Sequence, residues 1–160
     1  MQSAVFTGKT QFLILNRERD IMDDRMSLTP IDINLKWSER LTGLFVVIVA
    51  YIAIRCLSIF RISKILSVLK RYCLREITYE EAEIVWAAVR KSNFLLLGRL
   101  ACLEFSLAFV LFALTKGLSS TWCVGVSNEP VQAHAWVEIS DTPFREVDNF
   151  EYHFRKLIAV

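Results

Sequence analysis

A chain of 160 residues, 54% of them hydrophobic, can bury one sizeable core and not two, which points to one domain with an appendage. The net charge of +2 argues against a nucleic-acid partner, but the charge is unevenly spread: residues 41–75 hold six Lys/Arg and no acid, and 76–160 hold seven bases against eleven acids. Four widely spaced cysteines, Cys56, Cys73, Cys102 and Cys123, lack the C-x-x-C pairs of a zinc or redox site, so free thiols in a reducing compartment are expected.

Residues 1–40 read as an N-terminal extension and linker. They contain one short apolar run, Phe12 to Leu15, then a charged stretch and Pro30. No cleavable signal peptide is visible, and a cytoplasmic protein is expected, with membrane association left open. Residues 41–160 read as the domain proper. Its first segment, 41–54, is the strongest apolar run; as a helix its fourteen residues span about 21 Å, short of the roughly 30 Å of bilayer hydrocarbon. An interior or partner-facing helix is favoured over an interfacial or a spanning one.

The following "RISKILSVLKRYCLR" sets Ile62, Ile65, Leu66, Leu69 and Cys73 at helical spacing, with the cations off that stripe. This basic amphipathic helix either packs on the core or is drawn to an acidic peptide or anionic lipid heads. A further helix is announced by Thr78 and Glu81, a capping-box pair, with Ile84, Val85, Ala88 and Val89 inward and a break near Asn93-Phe94. Beyond Gly98, a buried helix from about Cys102 to Lys116 is closed by Gly117.

After that helix the period switches from 3.6 to 2. "STWCVGVS" and "VQAHAWVEIS" read as two strands, and "PFREVDNF" as a third. Helices followed by a small antiparallel sheet make the fold class α+β. In the second strand His134, Trp136 and Glu138 share one face, while Ala133, Ala135, Val137 and Ile139 share a core-like one.

A thiol at the start of a buried helix, a histidine on a strand and an acid on the neighbouring strand are the parts of a cysteine-nucleophile triad. The helix N-terminus favours the thiolate of Cys102. Cross-strand register leaves two candidates for the acid, Glu146 and Asp148, depending on whether the hairpin centres on Ser140 or Asp141. Cys56, Cys73 and Cys123 read as packing residues and His153 as a surface one. A zinc site from His134, His153 and two cysteines would need side chains scattered over the whole chain, so no metal or other cofactor is expected.

The stretch from Ala101 to Ser140 resembles the core of the lasso-peptide B proteins, leader peptidases with a transglutaminase-like, papain-related cysteine-protease fold. Their Cys-Leu-x-x-Ser motif matches Cys102-Leu103-Glu104-Phe105-Ser106; their Gly-Val strand matches Gly125-Val126, and Ala-His-Ala-Trp-Val-Glu matches Ala133 through Glu138. The family's acid follows the histidine by twelve residues, which implies Glu146 ahead of Asp148. The chain departs from the family in carrying Glu104-Phe105 where Pro-Arg is usual, and Ser140-Asp141 where a glycine is common.

The resemblance implies a peptidase in which Cys102 attacks, His134 moves protons and Glu146 orients the imidazole, with Trp136 lining the cleft or packing over the triad. It implies a threonine next to last in the leader. It also implies partners: a lasso precursor peptide, a separate leader-recognition protein and an ATP-dependent macrocyclase. Residues 41–75 are then docking surface for that recognition protein or for the leader. A catalytically silent, membrane-associated adaptor of the same fold, and an acyl transferase using the same thioester chemistry, stand as alternatives.

Overall fold

The apolar run that opens the domain forms helix α1, Trp37–Cys56. It begins four residues before Leu41 because the Glu39 carboxylate accepts the Lys36 N–H at 3.0 Å, satisfying a donor that the first turn leaves unpaired. Gly43, Val46, Val47 and Ala50 are buried. A Cβ on Gly43 would lie 2.7 Å from Ser92 Oγ and 2.8 Å from the Ala88 carbonyl, so glycine permits the close crossing of α1 on α3, Tyr79–Leu96. Helix α2, Ile59–Lys70, buries Ile62 and Leu66.

The structure, a computed structural model, describes residues 33–96, 101–128, 131–146 and 153–160. These belong to a unit running from Asp32 to Val160. The apolar run Phe12–Leu15 lies outside the described residues.

Several expectations meet their structures directly. At the start of α3, Thr78 N–H donates to Glu81 Oε2 at 3.1 Å and Glu81 N–H to Thr78 Oγ1 at 3.4 Å, the reciprocal bonds of a capping box. Val85, Ala88 and Val89 are buried and Ile84 partly so, but the expected break near Asn93-Phe94 is not found: α3 runs on to Leu96. Helix α4, Cys102–Thr115, is the central element, buried over Ser106–Val110, Phe112 and Ala113 and touching α1, α3 and the sheet. Buried side chains such as Phe109 and Phe112 each stabilise the fold by about 1.5–3 kcal/mol. Gly117 ends the helix at φ 70°, a left-handed position that glycine takes without strain.

Strands β3, Thr121–Asn128, and β4, Val131–Ile139, pair antiparallel from Thr121↔Glu138 to Asn128↔Val131. The sheet order is β5-β4-β3-β6, with β5 Thr142–Pro143 and β6 Arg155–Ala159. A minor parallel pair joins β1, Arg75–Glu76, to β2, Leu118–Ser119. On the Ala face of β4, Ala135, Val137 and Ile139 are buried as expected, Val137 and Ile139 joining Trp122 and α4 in the main core, whereas Ala133 is exposed near the start of the strand. On the opposite face Cys123 and Trp136 pack together beside Phe154.

Three expectations need correction. The third strand does not extend through "PFREVDNF": β5 stops at Pro143, and Phe144 and Arg145 form a turn with Arg145 at φ 57°. Anchors on α3, described below, pull the chain out of the strand path. In α2, Ile65 and Leu69 are 46% and 40% exposed, since a short helix resting on Ile62 and Leu66 covers only a narrow stripe. Cys56 is exposed at the end of α1, and Cys73 lies partly buried in the turn after α2.

Candidate active site

The site lies where the first turn of α4 meets the edge of β4. Ser106, four residues after Cys102, holds the two elements together: its hydroxyl donates to the Leu103 carbonyl at 3.2 Å and accepts from Trp122 Nε1 at 3.0 Å. The serine of the Cys-Leu-x-x-Ser motif thus ties the helix start to β3. Sequence spacing alone did not expose this role, because the partner Trp122 lies sixteen residues further on.

Strand β5 pairs only with Glu138 and Ile139, so among the described residues no strand covers the upstream edge of β4. Odd-numbered peptide groups point to that edge; the Val137 carbonyl accepts from Phe144 N–H at 2.8 Å. Two residues upstream, the Ala135 amide donates to the Cys102 sulfur instead. The Leu103 amide, in the first turn of α4, donates to the same sulfur.

His134 completes the contact with a side-chain hydrogen bond to Cys102. On its other side His134 Nε2 lies 3.1 Å from Glu146 Oε1, with the two side chains only 11% and 6% exposed. With Nε2 facing the carboxylate, Nδ1 is the ring nitrogen left to face the thiol. Asp148 lies outside the described residues.

A clamped turn, in place of strand register, delivers Glu146 to the histidine. Arg145 reaches α3, with Nη2 2.5 Å and Nε 2.9 Å from the Glu83 carboxylate, and its guanidinium lies 4.2 Å over the Trp86 ring. Phe144 is buried between Tyr79 and Phe109, at centroid distances of 5.3 and 5.6 Å. One turn earlier, Ser140 and Asp141 adopt φ 49° and 61°, the paired left-handed conformation of a two-residue hairpin loop. Without glycine there, Glu76 supports the loop, accepting from Ser140 N–H at 2.8 Å and from its hydroxyl at 3.2 Å.

Beneath the imidazole, the Trp136 ring stacks 10° from parallel at 6.2 Å between centroids. Trp136 is 2% exposed, and its Nε1 donates to Glu138 Oε1 at 2.9 Å. The equally buried Glu138 is neutralised by Lys156, 2.7 Å away. A Cβ on Gly125, opposite His134, would come within 2.8 Å of Trp136 Cη2 and 2.6 Å of the Arg155 carbonyl. The glycine of the Gly-Val motif therefore makes room for the indole under the histidine.

Electrostatics at the site follow from these contacts. Burial raises the Cys102 thiol, but the His134 hydrogen bond and charge, with the amides of Ala135 and Leu103, outweigh it and bring the pKa below the ordinary thiol value. Burial works the other way on His134, where bonds to Cys102 and Glu146 overcome it and raise the imidazole to about 9. Both shifts act in the direction of a thiolate–imidazolium pair, Cys102 lowered and His134 raised. Cys123 sits in the reverse environment: burial and the Glu138 carboxylate push its thiol up to about 12. Among the described residues, no three His, Cys, Asp or Glu side chains converge as a metal site would require.

A thiol at a helix start, a strand histidine and a carboxylate beside it, in helices followed by an antiparallel sheet, are consistent with cysteine-protease or acyltransferase chemistry on a transglutaminase-like fold. The sequence model of the Transglutaminase-like superfamily matches residues 44–159, and the chain belongs to that superfamily. No curated protein and no solved structure gives a significant match.

Proposed function

We propose that this chain is a cysteine peptidase that removes the leader from a ribosomally made lasso-peptide precursor, before an ATP-dependent macrocyclase closes the ring. The observation that carries the peptidase reading is the Cys102–His134–Glu146 chain of contacts, with Cys102 lowered and His134 raised. The leader and the lasso product rest on the motif resemblance at Cys102–Ser106, Gly125-Val126 and Ala133–Glu138.

In this mechanism the Cys102 thiolate attacks the carbonyl carbon of the last leader residue, and the C=O π electrons move onto oxygen. The Cys102 N–H, in the first turn of α4 where helical partners are lacking, faces the developing oxyanion. Collapse of the tetrahedral adduct breaks the C–N bond while protonated His134 gives its proton to the departing amine. A thioester remains on Cys102. Neutral His134 then takes a proton from water, the hydroxide equivalent adds to the thioester carbonyl, and the leader leaves as a carboxylic acid with the thiolate restored. Glu146 holds Nε2–H throughout and stabilises each imidazolium. Trp136 beneath the ring and Gly125 beside it are positioning residues.

A separate leader-recognition protein would bring the precursor to this site. Mass spectrometry of precursor incubated with the chain and that partner, beside a Cys102→Ala control, tests the reading. Cleavage at one bond by the wild type alone supports it. No cleavage by either, with the partner shown to bind leader, replaces it with the adaptor reading. A product carrying an acceptor amine in place of water assigns acyl transfer instead.

A further inference from the structure

The outer faces of α1 and α2 carry features that peptide cleavage does not use. Along α1, Trp37, Leu41, Phe45, Ile48 and Ile52 are 78%, 59%, 64%, 40% and 52% exposed. Their spacing of four, four, three and four residues makes one continuous stripe. It lies opposite Gly43, Val46, Val47 and Ala50, which pack into the domain. Twenty helical residues reach about 30 Å, and α1 is long and apolar enough to cross a membrane by length and composition. Its inner face is domain core, so the helix lies along the body of the domain.

Helix α2 adds charge to the same segment. Exposed Arg61, Lys64 and Arg71 alternate with exposed Phe60, Ile65 and Val68. Lys64, Ile65, Val68 and Leu69 form a shallow open patch on the outer side of α2. From Leu41 to Arg75 the chain holds six Lys/Arg and no acid. Protein surfaces that meet protein partners deplete lysine at the centre of the contact. A face that mixes aromatic and aliphatic side chains with cations, and whose nearby carboxylate, Glu39, is paired with Lys116, is complementary to a bilayer whose surface is negative and whose interior is hydrocarbon.

We propose that the outward faces of α1 and α2 seat this domain on an anionic lipid surface, with α1 lying in the interface and the α2 cations meeting the headgroups. The proposal is independent of the peptidase chemistry. It makes the protein a reversible peripheral occupant, since the cations contribute binding that added salt screens away.

The test is co-sedimentation of the full chain with vesicles of phosphatidylglycerol and phosphatidylcholine in equal parts, and with phosphatidylcholine alone. Expected is pelleting with the anionic vesicles, release in high salt, and binding weaker by at least about tenfold for the double variant Arg61→Glu/Lys64→Glu. Phe45→Ser with Ile52→Ser, on the exposed stripe, should weaken binding in both salt conditions. Cys102 alkylation at the wild-type rate in every variant verifies that each is folded. Equal pelleting with both vesicle types, or none with either, overturns the proposal. So does anionic-vesicle binding that the charge reversal leaves unchanged. Loss of a self-dimer, or of the complex with a leader-recognition protein, in variants whose vesicle binding is unaltered would assign the face to a protein occupant.

Discussion

Cys102 lies at the edge of β4 and Cys123 within β3, and burial pushes both thiols upward. They end on opposite sides of the ordinary thiol value. What separates them is the sign of their neighbours: Cys102 meets an imidazole and two amide donors, whereas Cys123 meets the Glu138 carboxylate. One strand supplies both environments, because β4 offers Ala135 N–H and His134 to the first sulfur and Glu138 to the second. The direction of each shift is therefore set by which polar atoms a strand aims at a sulfur, with burial common to both.

The largest effect should come from Cys102→Ala. It should abolish fast single-site alkylation near neutral pH and lower cleavage by about four orders of magnitude or more; fast labelling that persists at Cys123 would break the comparison. Next comes Glu146→Gln, expected to cut turnover by about 10²–10⁴-fold, while Asp148→Asn leaves it unchanged. The reverse pattern would reassign the orienting acid.

The pH profile sharpens this point. Wild-type cleavage should rise as Cys102 deprotonates and fall as His134 loses its proton near pH 9. Because Glu146 raises the imidazole pKa, its replacement should move the alkaline limb to lower pH. The same shift bears on stability. His134 is raised from its ordinary 6.5, so its contribution is fully present below that value and is lost as pH rises through about 9. Chemical denaturation across that range measures the decline.

Smaller effects are expected around Trp136. Gly125→Ala should cost about 1–3 kcal/mol, since the added methyl meets indole and backbone. It should also slow Cys102 alkylation by displacing the ring under His134. Cys123→Ala should cost only about 1 kcal/mol of packing in thermal melts and leave turnover unchanged. A large loss of activity there would mean the two sulfurs are coupled.

The sequence made α4, β3 and β4 legible because their periods change sharply at Gly117 and because Thr78/Glu81 and Gly117 are strong terminal signals. It also paired Cys102 with His134, which the structure brings into contact. The assumed strand leaves Glu146 and Asp148 both open, the family's twelve-residue spacing favours Glu146, and Glu146 reaches His134 by a route other than that strand. The Arg145 clamp to Glu83 and Trp86 spans about sixty residues of chain, and no local pattern announces such a bond. Strand β6 went unread because most of Arg155–Ala159 is exposed, so no alternation marks it. In α2 the apolar stripe was visible, but its width exceeded the contact available to it.

The clamp at Arg145 also sets when the protein becomes chemically armed. In the unfolded chain Cys102 is an ordinary thiol, because His134, the Ala135 amide and Glu146 lie tens of residues away, and the neighbouring Leu103 amide is held at the sulfur only once α4 has formed. On the proposed mechanism, only a chain in which α3 has received Arg145, and α4 has docked on β3 through Ser106 and Trp122, carries a reactive sulfur. Its labelling rate is therefore a clock on assembly: the moment Cys102 begins to outpace the other three thiols marks the moment the last piece of the fold closes.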